Sequence, residues 1–289
     1  MEERFKQALR EGERLGARYA LARPEQAPIG QMGAQLGHRP GSSLEFMDHR
    51  DYQPGDDLRQ IDWAAYARSD RLTVKLFREE VSPHLDVVLD GSRSMDLPET
   101  DKARGAVSLT AVLATAARSS GFTHRLHRSG AGFEPVAGGD GPPLAWHGIS
   151  FDATRSPAAA FADRPAQWKS RGVRVLISDL LWPGDPLPFV RRLAEGAAAL
   201  HVVQLLAEAD QTPPQRGNVR LVDSETEGTQ ELYIDAGAQQ RYQQMLNRQQ
   251  QAWHAACRQV GAAMSTVVAE RLVKGEVTPM VESGLLSIL

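Results

Sequence analysis

The feature that most constrains the fold is a short apolar run that ends in a cluster of oxygen-bearing side chains. Residues 85–89 read L-D-V-V-L, a run rich in β-branched residues. Such a run predicts a strand that is covered on both faces of its sheet. Asp90, Ser92 and Ser94 follow on one tight loop. Because open α/β sheets bind their ligands at the carboxyl ends of strands, this loop is the first candidate site.

The chemistry of this segment, residues 90–95 and hereafter the Asp90 loop, favours a hard metal ion. One carboxylate and two hydroxyls are oxygen donors of the kind that Mg²⁺ or Mn²⁺ prefers, with positions left for water or for a partner's carboxylate. The alternative is an Asx or Ser turn, in which the same side chains accept local backbone N–H groups.

Composition excludes several classes of protein. The chain of 289 residues is 42% hydrophobic and 24% charged with a net charge of −3, which is typical of soluble globular proteins and gives no reason to expect nucleic acid as a ligand. Cys257 is the single cysteine, so an internal disulfide and a Cys-based zinc site are excluded and a reducing cytoplasm is favoured. The charged first 15 residues and the lack of a long apolar window predict neither a signal peptide nor a membrane span.

The segment before the apolar run has two parts. A short amphipathic helix is predicted up to about residue 22, and the Gly- and Pro-rich residues 23–43 predict a long irregular segment. In residues 50–80, a Pro-Gly turn precedes a helix that Asp56 or Asp57 caps and that continues to Arg68, with a strand after it. Interleaved acids and bases favour an ion-pair network that fastens this segment to the main sheet. The alternative is that Asp56, Asp57 and Asp62 hold metal for phosphoryl chemistry.

The remaining pattern predicts an α/β fold with a mostly parallel central sheet and helices on both faces. The apolar tail at residues 281–289 packs inward or docks on a partner, and the pattern does not separate these two. Helices are predicted at residues 100–120, 153–162, 187–198 and 236–260, and strands at 123–128, 133–136, 173–178, 200–206, 219–222, 231–234 and 265–269.

Three motifs with fixed spacing lie between residues 50 and 95: R-x-Y-x-P-G-D-D-x-R-x-I-D-W-x-x-x-A-R, L-x-V-K-x-F-x-E-E and D-x-S-x-S-M. This succession resembles the bacterial family known as domain of unknown function 58 (DUF58), which carries a von Willebrand factor type A-like, Rossmann-like domain. Many relatives begin with two membrane-spanning helices, and membrane attachment is not carried over to this chain. The family's structural motif corresponds here to Arg50, Tyr52, Pro54, Gly55, Asp56, Asp57, Arg59, Asp62, Trp63 and Arg68.

The resemblance also implies a metal site. D-x-S-x-S is similar to the first loop of the metal-ion-dependent adhesion site (MIDAS) of type A domains. Asp179, which ends the strand at 173–178, matches an Asp that lies at the metal in that family, usually through water; loop capping is the alternative. Thr154 is the best candidate for the second-loop Thr and Ser150 is the reserve, although neither has the usual Gly-Gly-Thr setting.

Together these observations predict an N-terminal extension at residues 1–80, whose motif segment packs on a type A-like domain at residues 81–289. The predicted function is a non-enzymatic, cytoplasmic protein-binding module that holds Mg²⁺ or Mn²⁺. Because DUF58 genes often lie beside those of MoxR-type AAA+ ATPases, the resemblance implies an adaptor that works with such an ATPase or its client in complex assembly or maturation.

Two alternatives to this function stay open. The first is a scaffold with a degenerate metal site, since the cation of Arg93 inside the loop would repel Mg²⁺. The second is a metal-dependent phosphoester hydrolase, which needs a base beside the ion. The histidines do not favour it, because they lie at the wrong end of the strand or lack ligand spacing: His84, His124, His127 and His147.

Overall fold

The computed structural model of the protein describes residues 3–23, 44–79, 83–212, 214–224 and 228–289. The chain forms two compact units, one of residues 1–27 with 83–289 and one of residues 28–82. The strands are β1 (Tyr19–Leu21), β2 (Leu44–Asp51), β3 (Thr73–Glu79), β4 (His84–Leu89), β5 (Thr123–Ser129), β6 (Phe133–Pro135), β7 (Val173–Ser178), β8 (Ala199–Leu206), β9 (Gly217–Val222), β10 (Thr229–Ile234), β11 (Ala263–Val268) and β12 (Leu286–Ile288). The α-helices are α1 (Glu3–Gly16), α2 (Trp63–Ser69), α3 (Lys102–Ser119), α4 (Pro157–Asp163), α5 (Leu187–Ala194), α6 (Glu208–Gln211), α7 (Ala236–Val260), α8 (Ala269–Leu272) and α9 (Thr278–Glu282).

A six-stranded sheet forms the centre of the larger unit. Its strand order is β11-β8-β7-β4-β5-β6, and every pairing is parallel except that of the short β6 with β5. All six residues of β4 are buried, as its apolar run predicts for a central strand covered on both faces. The predicted mixed α/β fold with a mostly parallel central sheet is therefore confirmed.

The two faces of this sheet are covered by separate apolar clusters. Neighbouring residues of β4 point to opposite faces because side chains alternate along a strand. Val87 accordingly packs in one cluster with Phe5 of α1 and Leu109 of α3. Val88 packs in the other with Phe189 of α5 and Trp253 of α7. Helices therefore cover both faces, and none of the helices described is both long and apolar enough to cross a bilayer.

The first and last segments of the larger unit meet. Strand β1 pairs with β12 in an antiparallel ladder, and Leu285 and Leu286 are buried. The last two residues, Ile288 and Leu289, are exposed. Of the two possibilities for the apolar tail, inward packing thus describes Leu285 and Leu286.

The unit of residues 28–82 corrects one prediction. Its helix does not begin after Asp56 or Asp57, because Asp57 caps only a 3₁₀ turn at Leu58–Gln60. Asp62 caps α2, and its Oδ1 accepts the backbone N–H groups of Ala64 and Ala65 at 3.0 Å each. Asp56, Asp57 and Asp62 are equally good cap residues, so composition does not choose between them.

Asp56, Asp57 and Asp62 are each paired with a base, as the interleaved charges predict. Arg50 contacts Asp56 at 2.6 Å, and Arg59 contacts Asp57 at 2.8 Å. Asp62 Oδ2 accepts a hydrogen bond from His49 Nε2 at 2.7 Å. The attachment of this segment to the main domain stays a prediction. Residues 24–43, most of the predicted irregular segment, lie outside the described residues.

Helix boundaries in the larger unit differ from the predicted ones where caps intervene. The helix predicted at 153–162 begins only at Pro157, because Ser156 caps it by accepting the N–H of Ala159. The helix predicted at 187–198 ends at Ala194, two residues before Gly196 takes a φ of 70°. Strands β9 and β10 form the predicted pair, as a separate two-stranded sheet.

Candidate functional site at the carboxyl edge of the sheet

The Asp90 loop leaves the sheet at the carboxyl end of β4 and is held by backbone hydrogen bonds. The N–H of Asp90 donates to Ile177 O at 2.9 Å, which extends the ladder with β7. Gly91 lies so close to β5 that a Cβ there would stand 2.3 Å from Ser129 O. The close approach explains why the second residue of the loop has no side chain.

A second segment is joined to this loop. Ser92 forms a parallel bridge with Ala153, the N–H of Arg93 donates to Ala153 O at 3.0 Å, and the N–H of Ala153 donates to Gly91 O at 2.9 Å. Thr154, the candidate second-loop residue, follows directly and is exposed. Ala153 therefore lies beside the Asp90 loop, with Thr154 next to it, although Ser92 and Ala153 are 61 residues apart in sequence.

Asp90 is fully buried and bonded through both carboxylate oxygens. Its Oδ1 accepts the Ser92 N–H at 2.9 Å and the Ser129 hydroxyl at 3.3 Å, and its Oδ2 accepts the Ser178 hydroxyl at 2.6 Å. Burial, followed by the charge of Asp179, raises the pKa of Asp90 to about 6, while the hydrogen bonds from Ser178 and Ser92 oppose the rise. The two predicted acids of the site are therefore close enough to repel each other.

The two serine hydroxyls of the loop converge. Ser92 Oγ and Ser94 Oγ lie 3.0 Å apart. An octahedral Mg²⁺ ion with oxygen ligands at about 2.1 Å places adjacent ligands about 3 Å apart, so this separation suits two ligands of one ion. Ser150, the reserve candidate, instead donates to Asp152 Oδ1 at 3.3 Å.

The cation beside these acids is a lysine that the sequence analysis did not identify. Lys102 is 0% exposed, and its Nζ lies 3.2 Å from Asp179 Oδ2 and 3.2 Å from Asp210 Oδ2. Lys102 begins α3, whereas Asp210 belongs to α6 and accepts the N–H of Ala207 at 2.9 Å. One signal was available, because Lys102 stands four residues before Ala106 and so belongs to the apolar stripe of its helix.

The arrangement of donors decides whether a divalent ion fits. Asp179 Oδ1 accepts the Leu181 N–H at 3.2 Å, and its Oδ2 takes the Lys102 ammonium. Both oxygens of Asp90 are likewise engaged by protein donors. Mg²⁺ sites ordinarily use one or two carboxylates as ligands. Here the carboxylate oxygens already accept protein donors, and only the hydroxyls of Ser92 and Ser94 converge as oxygen ligands. In the described part of the chain no three His, Cys, Asp or Glu side chains are grouped as metal ligands. As arranged, the acids fit an internal ammonium and not a divalent ion.

A buried side-chain amide holds the backbone at Asp179 in place. Gln204 of β8 donates through Nε2 to Asp179 O at 3.1 Å. Its Oε1 accepts hydrogen bonds from Gln250 and Thr266, each at 3.1 Å. The backbone at Asp179 is therefore tied to β8, α7 and β11, which limits how far its carboxylate can move away from Lys102.

Histidines that a hydrolase would need as a base are engaged elsewhere. His84 and His127 both contact Asp86 Oδ1, at 3.2 and 3.1 Å. His124 contacts the carbonyl oxygen of Gly141 at 3.0 Å, and His147 is exposed. Asp86 lies within β4, four residues before Asp90, which follows the end of that strand.

Comparison with known proteins identifies the family. The family model "Protein of unknown function DUF58" matches residues 48–135 and 153–252, which cover the motif segment, the Asp90 loop and the strand before Asp179. The chain belongs to the DUF58 family. Its relatives include the uncharacterized protein Rv1480 of Mycobacterium tuberculosis and the uncharacterized protein Mb1516 of Mycobacterium bovis. Each is 30% identical over 217 residues, which cover 70% of this DUF58 chain and 68% of the relative.

Solved structures resemble this DUF58 protein only distantly. The conserved hypothetical protein BatB of Bacteroides thetaiotaomicron matches at 9% identity with a TM-score of 0.31, covering 69% of this chain and 99% of that one. An aerotolerance-related membrane protein of Bacteroides fragilis matches at 12% identity with a TM-score of 0.36 and the same coverage of both chains. TM-scores this low do not establish a shared fold.

Proposed function

We propose that this DUF58 protein is a von Willebrand factor type A-like, non-enzymatic protein-binding module that docks its partner at the carboxyl edge of the sheet. The observation that carries the proposal is the joining of the Asp90 loop to Ala153, the residue before Thr154, by three backbone contacts. A partner that meets a surface already ordered in this way loses less conformational entropy on binding. Ser94 and Thr154 are the loop residues that such a partner would contact.

In this proposal the buried charges give rigidity and do not contact the partner. Lys102 joins Asp179 and Asp210 beneath the surface, and it is too deeply buried to contact a partner directly. The module therefore needs no divalent ion for docking. This corresponds to the scaffold with a degenerate metal site, with Lys102 rather than Arg93 as the cation that displaces the metal.

A second candidate is the ion-dependent form of the same module, and the 3.0 Å separation of the Ser92 and Ser94 hydroxyls favours it. In that form Mg²⁺ or Mn²⁺ would be held by Ser92, Ser94 and Thr154, with Asp90 and Asp179 behind them. An ion bound there would offer an open coordination position to a partner's carboxylate.

A metal titration separates the two candidates. Thermal unfolding of the wild type is recorded with increasing MgCl₂ or MnCl₂, against NaCl at equal ionic strength, and again with Ser92→Ala/Ser94→Ala. We expect the same midpoint in both salts. The ion-dependent form instead predicts stabilisation of about 2.7 kcal/mol at a hundredfold excess over Kd, which the double variant loses.

The proposed partner is a MoxR-type AAA+ ATPase or its client, on the basis of the resemblance to DUF58 gene neighbourhoods, and the proposed location is the cytoplasm. Binding of a purified MoxR-type ATPase from the same source is measured by biolayer interferometry. We expect Thr154→Arg to weaken binding by about tenfold or more, because a long cation replaces a small hydroxyl at the docking face. Thr229→Arg, at an exposed position of β10, serves as the matched control. Equal affinities for the two variants would refute docking at this edge.

A further inference from the structure

The opposite, amino edge of the sheet carries a cavity that the proposed function does not use. It has a volume of about 420 Å³ and lies where β4 and β5 begin, beside the end of α3. Its rim is formed by Arg118, Arg125 and Lys169, which are exposed, and its wall includes the buried His84. This cavity is hereafter the amino-edge pocket.

The charge of the amino-edge pocket is positive. Three permanent cations, Arg118, Arg125 and Lys169, face one carboxylate, that of Asp140. In the part of the chain that the structure describes, none of these cations forms a salt bridge with a carboxylate, whereas Arg128, Arg155 and Arg164 each do. The positive charges converge on a concave surface and are left for a ligand from solution.

The end of helix α3 does not cancel this charge. The carboxyl end of a helix carries a partial negative charge on its last carbonyl oxygens, which disfavours anions. Here the last carbonyl oxygens of the helix are capped by hydrogen bonds. The carbonyl oxygens of Ala116, Ala117 and Arg118 accept the N–H groups of Ser120, Phe122 and Gly121, respectively. The guanidinium of Arg118 in the last turn offsets the remaining partial charge.

A hydroxyl beside the cations is held by a buried hydrogen-bond chain. Thr123 Oγ1 lies 2.7 Å from His84 Nδ1, and Lys169 Nζ lies 3.5 Å from the same hydroxyl. On its other side His84 Nε2 contacts Asp86 Oδ1 at 3.2 Å. Because an ionised carboxylate only accepts hydrogen bonds, His84 Nε2 carries a proton, and the imidazole orientation is fixed. The pocket therefore holds the Thr123 hydroxyl in a fixed position beside Lys169.

Size and donor geometry narrow the class of ligand. A volume of about 420 Å³ lies within the range of small-molecule sites and is too small for a folded partner. Guanidinium groups present paired N–H donors that match phosphate oxygens, and an ammonium adds a point charge. We propose that the amino-edge pocket binds a small ligand with one or more phosphate groups, held by Arg118, Arg125 and Lys169.

Isothermal titration calorimetry with inorganic pyrophosphate tests this proposal. The full chain is titrated in EDTA, so that no metal–pyrophosphate complex forms, at two NaCl concentrations and with citrate as a carboxylate probe. We expect saturable binding of pyrophosphate that weakens with salt and is about tenfold or more tighter than binding of citrate. Citrate affinity equal to that of pyrophosphate would overturn the assignment to phosphate.

Variants of exposed cations locate the site without disturbing the core. We expect Arg125→Ala and Lys169→Ala each to weaken pyrophosphate binding by about tenfold, the effect of losing one charge-assisted hydrogen bond. Arg220→Ala, an exposed cation of β9 outside the pocket, keeps wild-type affinity. The proposal fails if pyrophosphate gives no saturable heat, or if Arg118→Ala/Arg125→Ala/Lys169→Ala binds it as tightly as the wild type. Circular dichroism of the triple variant confirms that it is folded.

Discussion

Two buried aspartates lie four residues apart, Asp86 within β4 and Asp90 directly after it. Their side-chain pKa values are shifted in opposite directions. Asp86 is 1% exposed and Asp90 is 0% exposed. Burial alone raises the pKa of Asp86, but hydrogen bonds from His127 and His84, together with the charges of these imidazoles, lower it to about 2. Burial and the Asp179 carboxylate raise the pKa of Asp90 to about 6. Both side chains are shielded from solvent, so their charged and hydrogen-bonding neighbours decide the sign of the shift.

The same contrast holds for the two edges of the sheet. At the carboxyl edge the cation, Lys102, is internal and saturated by Asp179 and Asp210. At the amino edge the buried carboxylate of Asp86 contacts two histidines through its Oδ1, and the permanent cations around the pocket stand at the surface. An internal cation stabilises the fold, whereas exposed and convergent cations are available to a ligand.

The largest expected effect tests the internal cation. Lys102→Met leaves Asp179 and Asp210 buried without their partner, and breaking a buried ion pair from one side costs about 3–5 kcal/mol in the free energy of unfolding. Urea denaturation measures the loss. Lys274→Met, at an exposed lysine, is the control and changes stability by less than about 0.5 kcal/mol.

A double variant sharpens this test. In Lys102→Met/Asp179→Asn we expect the loss in free energy of unfolding to be smaller than the sum of the two single losses. Each single variant leaves a buried charge without its partner, and the double variant removes both charges. Additive losses would show that Lys102 and Asp179 do not interact in solution.

The next largest expected effect is the pH dependence of the free energy of unfolding that the buried Asp86 causes. The folded-state pKa of Asp86, about 2, lies below the ordinary aspartate value of 3.8. The unfolded chain therefore binds more protons between these values, and the stabilising contribution is present above about pH 4 and lost as the pH falls toward 2. It amounts to something on the order of 2 kcal/mol. Wild type and Asp86→Asn, unfolded with urea at several pH values, should differ most at neutral pH and converge in acid.

The control for the pH experiment is Glu134→Gln, which removes a half-exposed acid paired with Arg164. A surface pair of this kind contributes about 1 kcal/mol or less. A gap between Asp86→Asn and wild type that stays constant from neutral pH to pH 2 would contradict the lowered pKa of Asp86.

The smallest effect tests the neighbours of Asp90. Ser178→Ala removes the hydroxyl that donates to Asp90 Oδ2 at 2.6 Å, inside the buried site. Leaving a buried acceptor without its donor costs about 1–3 kcal/mol, so we expect a loss near the lower end of this range. Ser170→Ala, at an exposed serine, is the matched substitution, and equal stability of the two variants in urea would show that this hydrogen bond does not stabilise the protein.

Local patterns predicted several elements to the residue. The apolar run before Asp179 gave the bounds of β7, and the amphipathic stripe of residues 236–260 gave those of α7. The start of α2 was wrong because three acids within seven residues are all able to cap, and only the fold selects Asp62. The carboxyl-edge position of the Asp90 loop followed from the strand before it.

The charge partners at the site were not predictable in the same way. Lys102 and Asp179 are 77 residues apart in sequence. Asp210 lies in a four-residue helix, and its local sequence does not indicate that it contacts Lys102. The pairing of the Asp90 loop with Ala153 likewise depends on how β4 and the segment before α4 are placed.

The amino-acid sequence by itself determined the central strands, the helix that follows the Asp90 loop, and the presence of oxygen donors at a strand end. Apolar periodicity and β-branched runs act over a few residues, so they can be recognised without the fold. Only the tertiary structure decided that Lys102 neutralises the carboxyl edge, that two histidines hold Asp86, and that three cations converge on the amino-edge pocket. The energy of a buried charge depends on which partners stand within a few ångströms of it, and those partners come from distant parts of the chain.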